Sequence, residues 1–294
     1  MKLRIAAAVA CGVVVIGLLA WPLAAPPEPF RAVSVFAGTI SLADTIILAV
    51  LALVVGFAAY FLSWPYGREI GILAAPSGLT VWAIRCGNMT AMAQLNPTVA
   101  QRQALFASLK WEPLLWLGIV AAGFAGVLAG QMVSAKPGPD RNQEKFKFES
   151  RVYLNAIIAL VASVLIAHVG VRVFARDVAA LDGQIGSVAA QPATGQIVFA
   201  VLVSFGFAAF VVKKFLNASY TWPIIASGLV SGFVMIVYVK QDALQHLVGH
   251  YPAAFFPNAV TCILPVQMVA FGTLGAIAGY WMAVRYNYWR KHGS

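Results

Sequence analysis

The residues best spaced for chemistry lie late in the chain. Asp242, His246 and His250 recur at i, i+4 and i+8 in QDALQHLVGH, so a helix would carry all three on one face. A histidine pair at that spacing can ligate a divalent metal, and His168, at the same expected membrane level, would be a third ligand. Haem iron also accepts histidine as an axial ligand. The residues between the pair are Leu247, Val248 and Gly249, so no general base accompanies it as in a His-Glu-x-x-His helix. We read His246 and His250 first as interfacial side chains, and a haem or metal site at His168, His246 and His250 as the lesser alternative.

A second pattern points to substrate binding. Pro76-Ser77-Gly78 interrupts one apolar segment, and Ala226-Ser227-Gly228 interrupts another 150 positions later. Breaks at corresponding places in two halves of a transporter free N–H and C=O groups to hold a solute near the bilayer midplane. These six residues form the expected site, with a packing kink as the alternative, since Ser can re-satisfy a freed carbonyl. Intramembrane charge is scarce: Asp44 sits just inside a span and no Glu falls at a span centre, so a proton pump's acid relay is not expected. Asn155, Asn258 and Thr261 are read as interhelical hydrogen-bonding groups. There is no P-loop and no Gly-x-Ser-x-Gly elbow, and Ser227 has no histidine in the following span to act as its base. A non-enzymatic protein with no resident cofactor is expected.

The elements that must position these residues follow from composition. Of 294 residues, 61% are apolar and 10% charged, against roughly 45–50% and 25% in soluble domains, which excludes a soluble enzyme. The net charge of +10 reflects basic residues beside apolar runs, a mark of membrane topology, so no nucleic-acid partner is expected. Cys11, Cys86 and Cys262 are odd in number and lack a Cys-x-x-Cys pair, so neither a disulfide framework nor a thiolate metal site is implied.

Apolar segments cover residues 5–25, 42–62, 70–84, 112–133, 153–174, 197–212, 219–239 and 258–284. The first shares its basic start with signal peptides, but Pro26 and Pro27 oppose cleavage after Ala25, so a retained helix is expected. The segment 70–84 reaches only about 22 Å of a roughly 30 Å hydrocarbon core. If it nonetheless crosses, Lys2, Arg4, Arg68, Lys136, Arg141, Lys145, Lys147, Arg151, Lys213, Lys214, Arg285, Arg290 and Lys291 share one side. That is thirteen basic residues against seven, whereas seven spans give nine against eleven. Lysine and arginine are retained in the cytoplasm, so eight spans with both termini cytoplasmic in the inner (plasma) membrane are expected. Trp21, Trp64, Trp82, Trp111, Trp116, Trp222 and Trp281 all fall near span ends, as interfacial indoles do.

The chain also resembles itself. At an offset of 150, residues 54–79 match residues 204–229 at seven of 26 positions, including GFAA and SGL. At an offset of 149, residues 121–130 match 270–279 at five of ten. This places Gly123, Gly126 and Gly130 over Gly272, Gly275 and Gly279, small-residue faces suited to close helix packing within the protein or to a homodimer seam. The expected fold is an all-α integral membrane protein of about eight spans, arranged as two parallel four-helix pseudo-repeats, 1–134 and 153–294. A polar cytoplasmic linker at 135–152 joins them. Residues 97–109 and 242–252 read as short amphipathic helices lying on lipid at the outer face. The function expected of this architecture is a permease or channel-like transporter of a small solute. A non-catalytic subunit of a larger membrane complex, contacting the bilayer and other membrane subunits, is the alternative.

Overall fold

A computed structural model describes residues 1–23, 25, 32–35, 40–134, 150–238, 241–251 and 255–292. The chain is built from helices: α1 (Lys2–Gly12, running on as a π-helical stretch Val13–Leu19), α2 (Leu42–Leu62), α3 (Gly67–Gly71), α4 (Ala74–Arg85), α5 (Met89–Leu95), α6 (Val99–Leu109) and α7 (Glu112–Ser134). After these come α8 (Ser150–Phe174), α9 (Thr194–Leu216), α10 (Thr221–Tyr238), α11 (Gln241–His250) and α12 (Pro265–His292). Among the described residues, six helices are long and apolar enough to cross a membrane, or eight if two bent pairs each count as one span. The expected linker lies outside the described residues apart from the first turn of α8.

The short segment is longer and more central than its apolar run suggests. Helix extends from Gly67 to Arg85 except at residues 72 and 73, about 28 Å at 1.5 Å per residue. Its residues Ala74, Ala75, Ser77, Gly78, Leu79, Trp82 and Ala83 are all buried against α1, α2, α7 and α12. Small side chains permit this position, because they let neighbouring backbones approach closely. At the other extreme, α8 is peripheral, with 22% of its apolar window buried against 72% for α12.

Close packing uses the glycines. A Cβ at Gly126 would lie 1.9 Å from the Leu53 carbonyl oxygen, and one at Gly275 would lie 2.5 Å from that of Leu202. A Cβ at Gly130 would run into the Tyr60 side chain, and one at Gly279 would run into the Gly206 carbonyl. These contacts seat α7 on α2 and α12 on α9, so the glycine faces are used inside the protein.

Four connections gather on one face and form a cap. Between α8 and α9 stands a hairpin, β1 (Ala179–Asp182) and β2 (Gly186–Ala190), and β2 pairs with β3 (Phe255–Phe256) from the α10–α12 connection. Thr90 N–H donates to Gln191 Oε1 (3.2 Å), whose Nε2 donates to Cys262 O (3.0 Å). Val33 N–H, from the α1–α2 connection, donates to Cys86 O at 2.8 Å. The hairpin was not expected, although its Asp182-Gly183 turn is legible in the sequence. Asp182 Oδ1 accepts from Gln184 N (2.9 Å) and Ile185 N (2.7 Å), and Gly186 takes φ +85°, a conformation suited to glycine.

Several expectations change. The helix over 97–109 forms, capped reciprocally by Thr98 and Gln101, but it packs against α7, α10 and α11. Arg102, expected on its polar face, is buried and donates from Nε to Asn96 O (3.1 Å). Trp82 and Trp116 are fully buried, stacked edge to face at 6.4 Å. Their place near span ends reflects height along the bundle, whereas their direction is inward. Trp82 Nε1 donates to the Ile16 carbonyl at 2.7 Å, tying α4 to α1.

Candidate functional site

The Pro-Ser-Gly and Ala-Ser-Gly motifs do not break their helices. Pro76 occupies the first turn of α4, where its missing N–H removes no intrahelical bond. Ser77 Oγ donates to Ala74 O at 2.8 Å, and a Cβ at Gly78 would lie 2.5 Å from Gly12 O. In α10, Ser227 Oγ donates to Ile224 O at 2.6 Å within a continuous helix, and Ala226 is buried. A Cβ added at Gly228 would run into the tip of Leu117, and one added at Gly272 would run into Ser227. The hydroxyls bond within their own helices and the small residues admit neighbours, and the helix is interrupted at residues 72 and 73, just before Pro76.

The histidines are also separated by use. His246 Nε2 donates to Asp182 Oδ2 at 2.8 Å, and His250 stacks on the His246 ring at 4.4 Å with its Nδ1 3.1 Å from His246 O. His168 lies instead beside α10, lining a space with Val230, Phe233 and Val234. Among the described residues no group of three His, Cys, Asp or Glu side chains is placed to hold a metal ion. The acid partner missing from the histidine motif is thus supplied by the hairpin, through Asp182.

Asp182 is the hub of a clasp. It also accepts from Tyr251 OH at 2.9 Å, so one carboxylate joins β1 to the middle of α11 and to the residue that follows it. These bonds, His246 first and then the Ile185 N–H, hold the Asp182 carboxyl well below the ordinary carboxylate range. The same hydrogen bond raises the Tyr251 hydroxyl, because only the protonated form can donate it to Asp182.

The clasp stands beside a cleft. Arg172 of α8, Ser187 at the start of β2, Val237 of α10, Ala243 of α11 and Asn258 line a space of about 500 Å³. A second space of about 290 Å³ continues along α8 and α10 past His168, Val164, Phe233 and Val234, and Asn258 and Val237 line both. Arg176 borders the upper end together with Arg172. His168 and Arg172 therefore line the cleft from one face of α8, at i and i+4, and Arg176, two residues beyond the helix, borders with Arg172 a small adjoining space of about 30 Å³. Asn258 is held by its own turn: its Oδ1 accepts from Val260 N (3.0 Å) and Thr261 N (3.2 Å). Neither Asn258 nor Thr261 serves as the interhelical link expected of it, and Asn155 faces outward.

A buried acid lies elsewhere under the cap. Glu112, the first residue of α7, is fully buried and accepts a hydrogen bond from Ser34 Oγ. Nearby, Gln267 Nε2 donates to Ala83 O at 3.2 Å, and its Oε1 accepts from Leu264 N at 3.1 Å. Sequence reading passed over Glu112 because it stands at the edge of an apolar run. Asp44, the acid it did weigh, is the reciprocal cap of α2 with Ser41.

No family model, curated protein or solved structure matches the chain.

Proposed function

We propose that the chain is a permease-type membrane protein of two parallel four-span halves, which takes a small solute from the cap side through the cleft between α8, α10, the hairpin and α11. Both termini lie in the cytoplasm on this reading, because the thirteen basic residues on their side would be retained there. The two-half arrangement draws support from helix packing. Gly126 against Leu53 O and Gly275 against Leu202 O are equivalent contacts, each residue lying 149 positions from its counterpart.

The observation that carries the reading is the cleft itself. Polar and cationic groups line its mouth, and apolar residues of two candidate spans line its continuation. Ligand sites in membrane proteins favour such places, where a few fixed polar groups meet an apolar wall. The test is uptake of a panel of radiolabelled solutes into proteoliposomes, with Ser187→Trp to block the mouth. Uptake of at least one solute by the wild type, lost in the blocked variant, is the expected result. Absence of uptake, with stoichiometric membrane partners in mild detergent, would replace this reading with that of a complex subunit.

A further inference from the structure

We propose that the cleft binds an anionic amphiphile, a phosphate-bearing lipid headgroup beside Arg172 and Arg176 with its chain lying between α8 and α10. This deepens the proposed function by naming a ligand class, and it rests on the same cleft being accessible. Three observations carry it.

First, Arg172 in the last turn of α8 and Arg176 two residues beyond that helix border one small space of about 30 Å³, which adjoins the cleft at Arg172, Ser187 and Asn258, and among the described residues neither forms an ion pair or hydrogen bond. Their near neighbours do not compensate them: Asp182 is committed to His246 and Tyr251, and Asp177 and Asp242 form no ion pair with either arginine. Arginine suits this task, because its planar fork of donors matches phosphate oxygens.

Second, the groove below the cations is apolar where a chain would run, along Val164, Phe233 and Val234. A soluble anion would leave this part unused, whereas a lipid fills it. Third, the site lies at the end of α8, which with the first helix is the least enclosed of the long apolar helices, so a lipid can reach it sideways from the bilayer. Basic pockets between spans at the headgroup level are suited to lipid head groups that carry phosphate.

The experiment measures binding without requiring transport. Full-length protein in a maltoside detergent is titrated with dodecyl phosphate, dodecyl phosphocholine and inorganic phosphate, read by thermal stabilisation. Native mass spectrometry then follows retention of phosphatidylglycerol against phosphatidylcholine. We expect dodecyl phosphate to bind at least tenfold more tightly than either comparator, with one phosphatidylglycerol retained per chain. The double variant Arg172→Gln/Arg176→Gln and the separate Ser187→Trp variant each weaken this at least tenfold. Equal binding of the zwitterionic amphiphile removes the role of the arginines, and equal binding of inorganic phosphate removes the role of the groove. Unchanged binding in both variants places the ligand elsewhere. Binding without uptake in proteoliposomes leaves this inference standing and overturns the permease reading; uptake of another solute without binding does the reverse.

Discussion

Asp182 and His246 stand 64 residues apart in the chain and meet at 2.8 Å, so a hairpin between α8 and α9 is clasped to a helix between α10 and α12. Tyr251 OH completes the clasp on the same carboxylate oxygen.

This geometry sets a pH dependence. The Asp182 carboxyl is held below its ordinary value, so its contribution to stability is fully present above the unfolded carboxylate pKa of roughly 3.9 and is lost as pH falls through the folded value. Hydrogen-exchange protection of the hairpin is expected to hold from neutral pH to about 4 and to decline below it. In Asp182→Asn the hairpin should be less protected at neutral pH, with the acid-linked decline reduced. Equal profiles in the two proteins would count against the clasp.

Glycine substitutions should separate close backbone packing from open helix surface. At Gly279 a Cβ would lie 1.9 Å from the Gly206 carbonyl, which cannot yield as a side chain can, so Gly279→Leu is expected to cost about 1–3 kcal/mol or prevent folding. Gly118 has nothing within 4 Å of its added Cβ, and Gly118→Ala should be neutral or stabilising by up to about 1 kcal/mol. Thermal unfolding in detergent reads both.

The two small-residue motifs should also differ from each other. Gly78 abuts Gly12 O and Ile16, whereas Gly228 abuts the tip of Leu117, which can move. Gly78→Ala is therefore expected to lower the melting temperature by several degrees and Gly228→Ala by less. The reverse order would mean that α1 is not firmly seated on α4.

Removing the Trp82 indole donor tests that seat directly. Trp82→Phe keeps most of the ring but loses the 2.7 Å bond to Ile16 O, for an expected loss of about 0.5–1.5 kcal/mol. An unchanged midpoint in thermal unfolding would show that this carbonyl finds another partner.

Glu112 offers a similar measurement beneath the cap. Glu112→Ala removes the acceptor of the Ser34 hydroxyl in a fully buried setting, and a loss of about 1–3 kcal/mol is expected. If thermal unfolding shows no loss, the segment 32–35 is held by Val33 and its apolar neighbours alone.

Much of the scaffold is legible in the residues themselves. Helix α2 begins at Leu42 and ends at Leu62, the limits of its apolar run, because Ser41 and Asp44 cap it and Trp64-Pro65 follow. The site was legible only in fragments. The i, i+4 spacing of His246 and His250 marks them, but their acid partner comes from a hairpin 64 residues away. The i, i+4 spacing of His168 and Arg172 is readable as one face of α8, yet what that face meets is not, and that α8 stops at Phe174, before Arg176, is seen only in the structure.

The sequence by itself determined which stretches are apolar and helical and where small residues fall along them, whereas α12 starts at Pro265 and not at the expected residue 258. Those properties depend on hydropathy, capping and side-chain size within one segment. Only the tertiary structure decided that α4 lies at the centre and α8 at the edge, that Trp82 and Trp116 face inward, and that four connections build one cap. An apolar side chain satisfies lipid and protein interior alike, so composition does not distinguish the two directions; the choice is made by which neighbours fit.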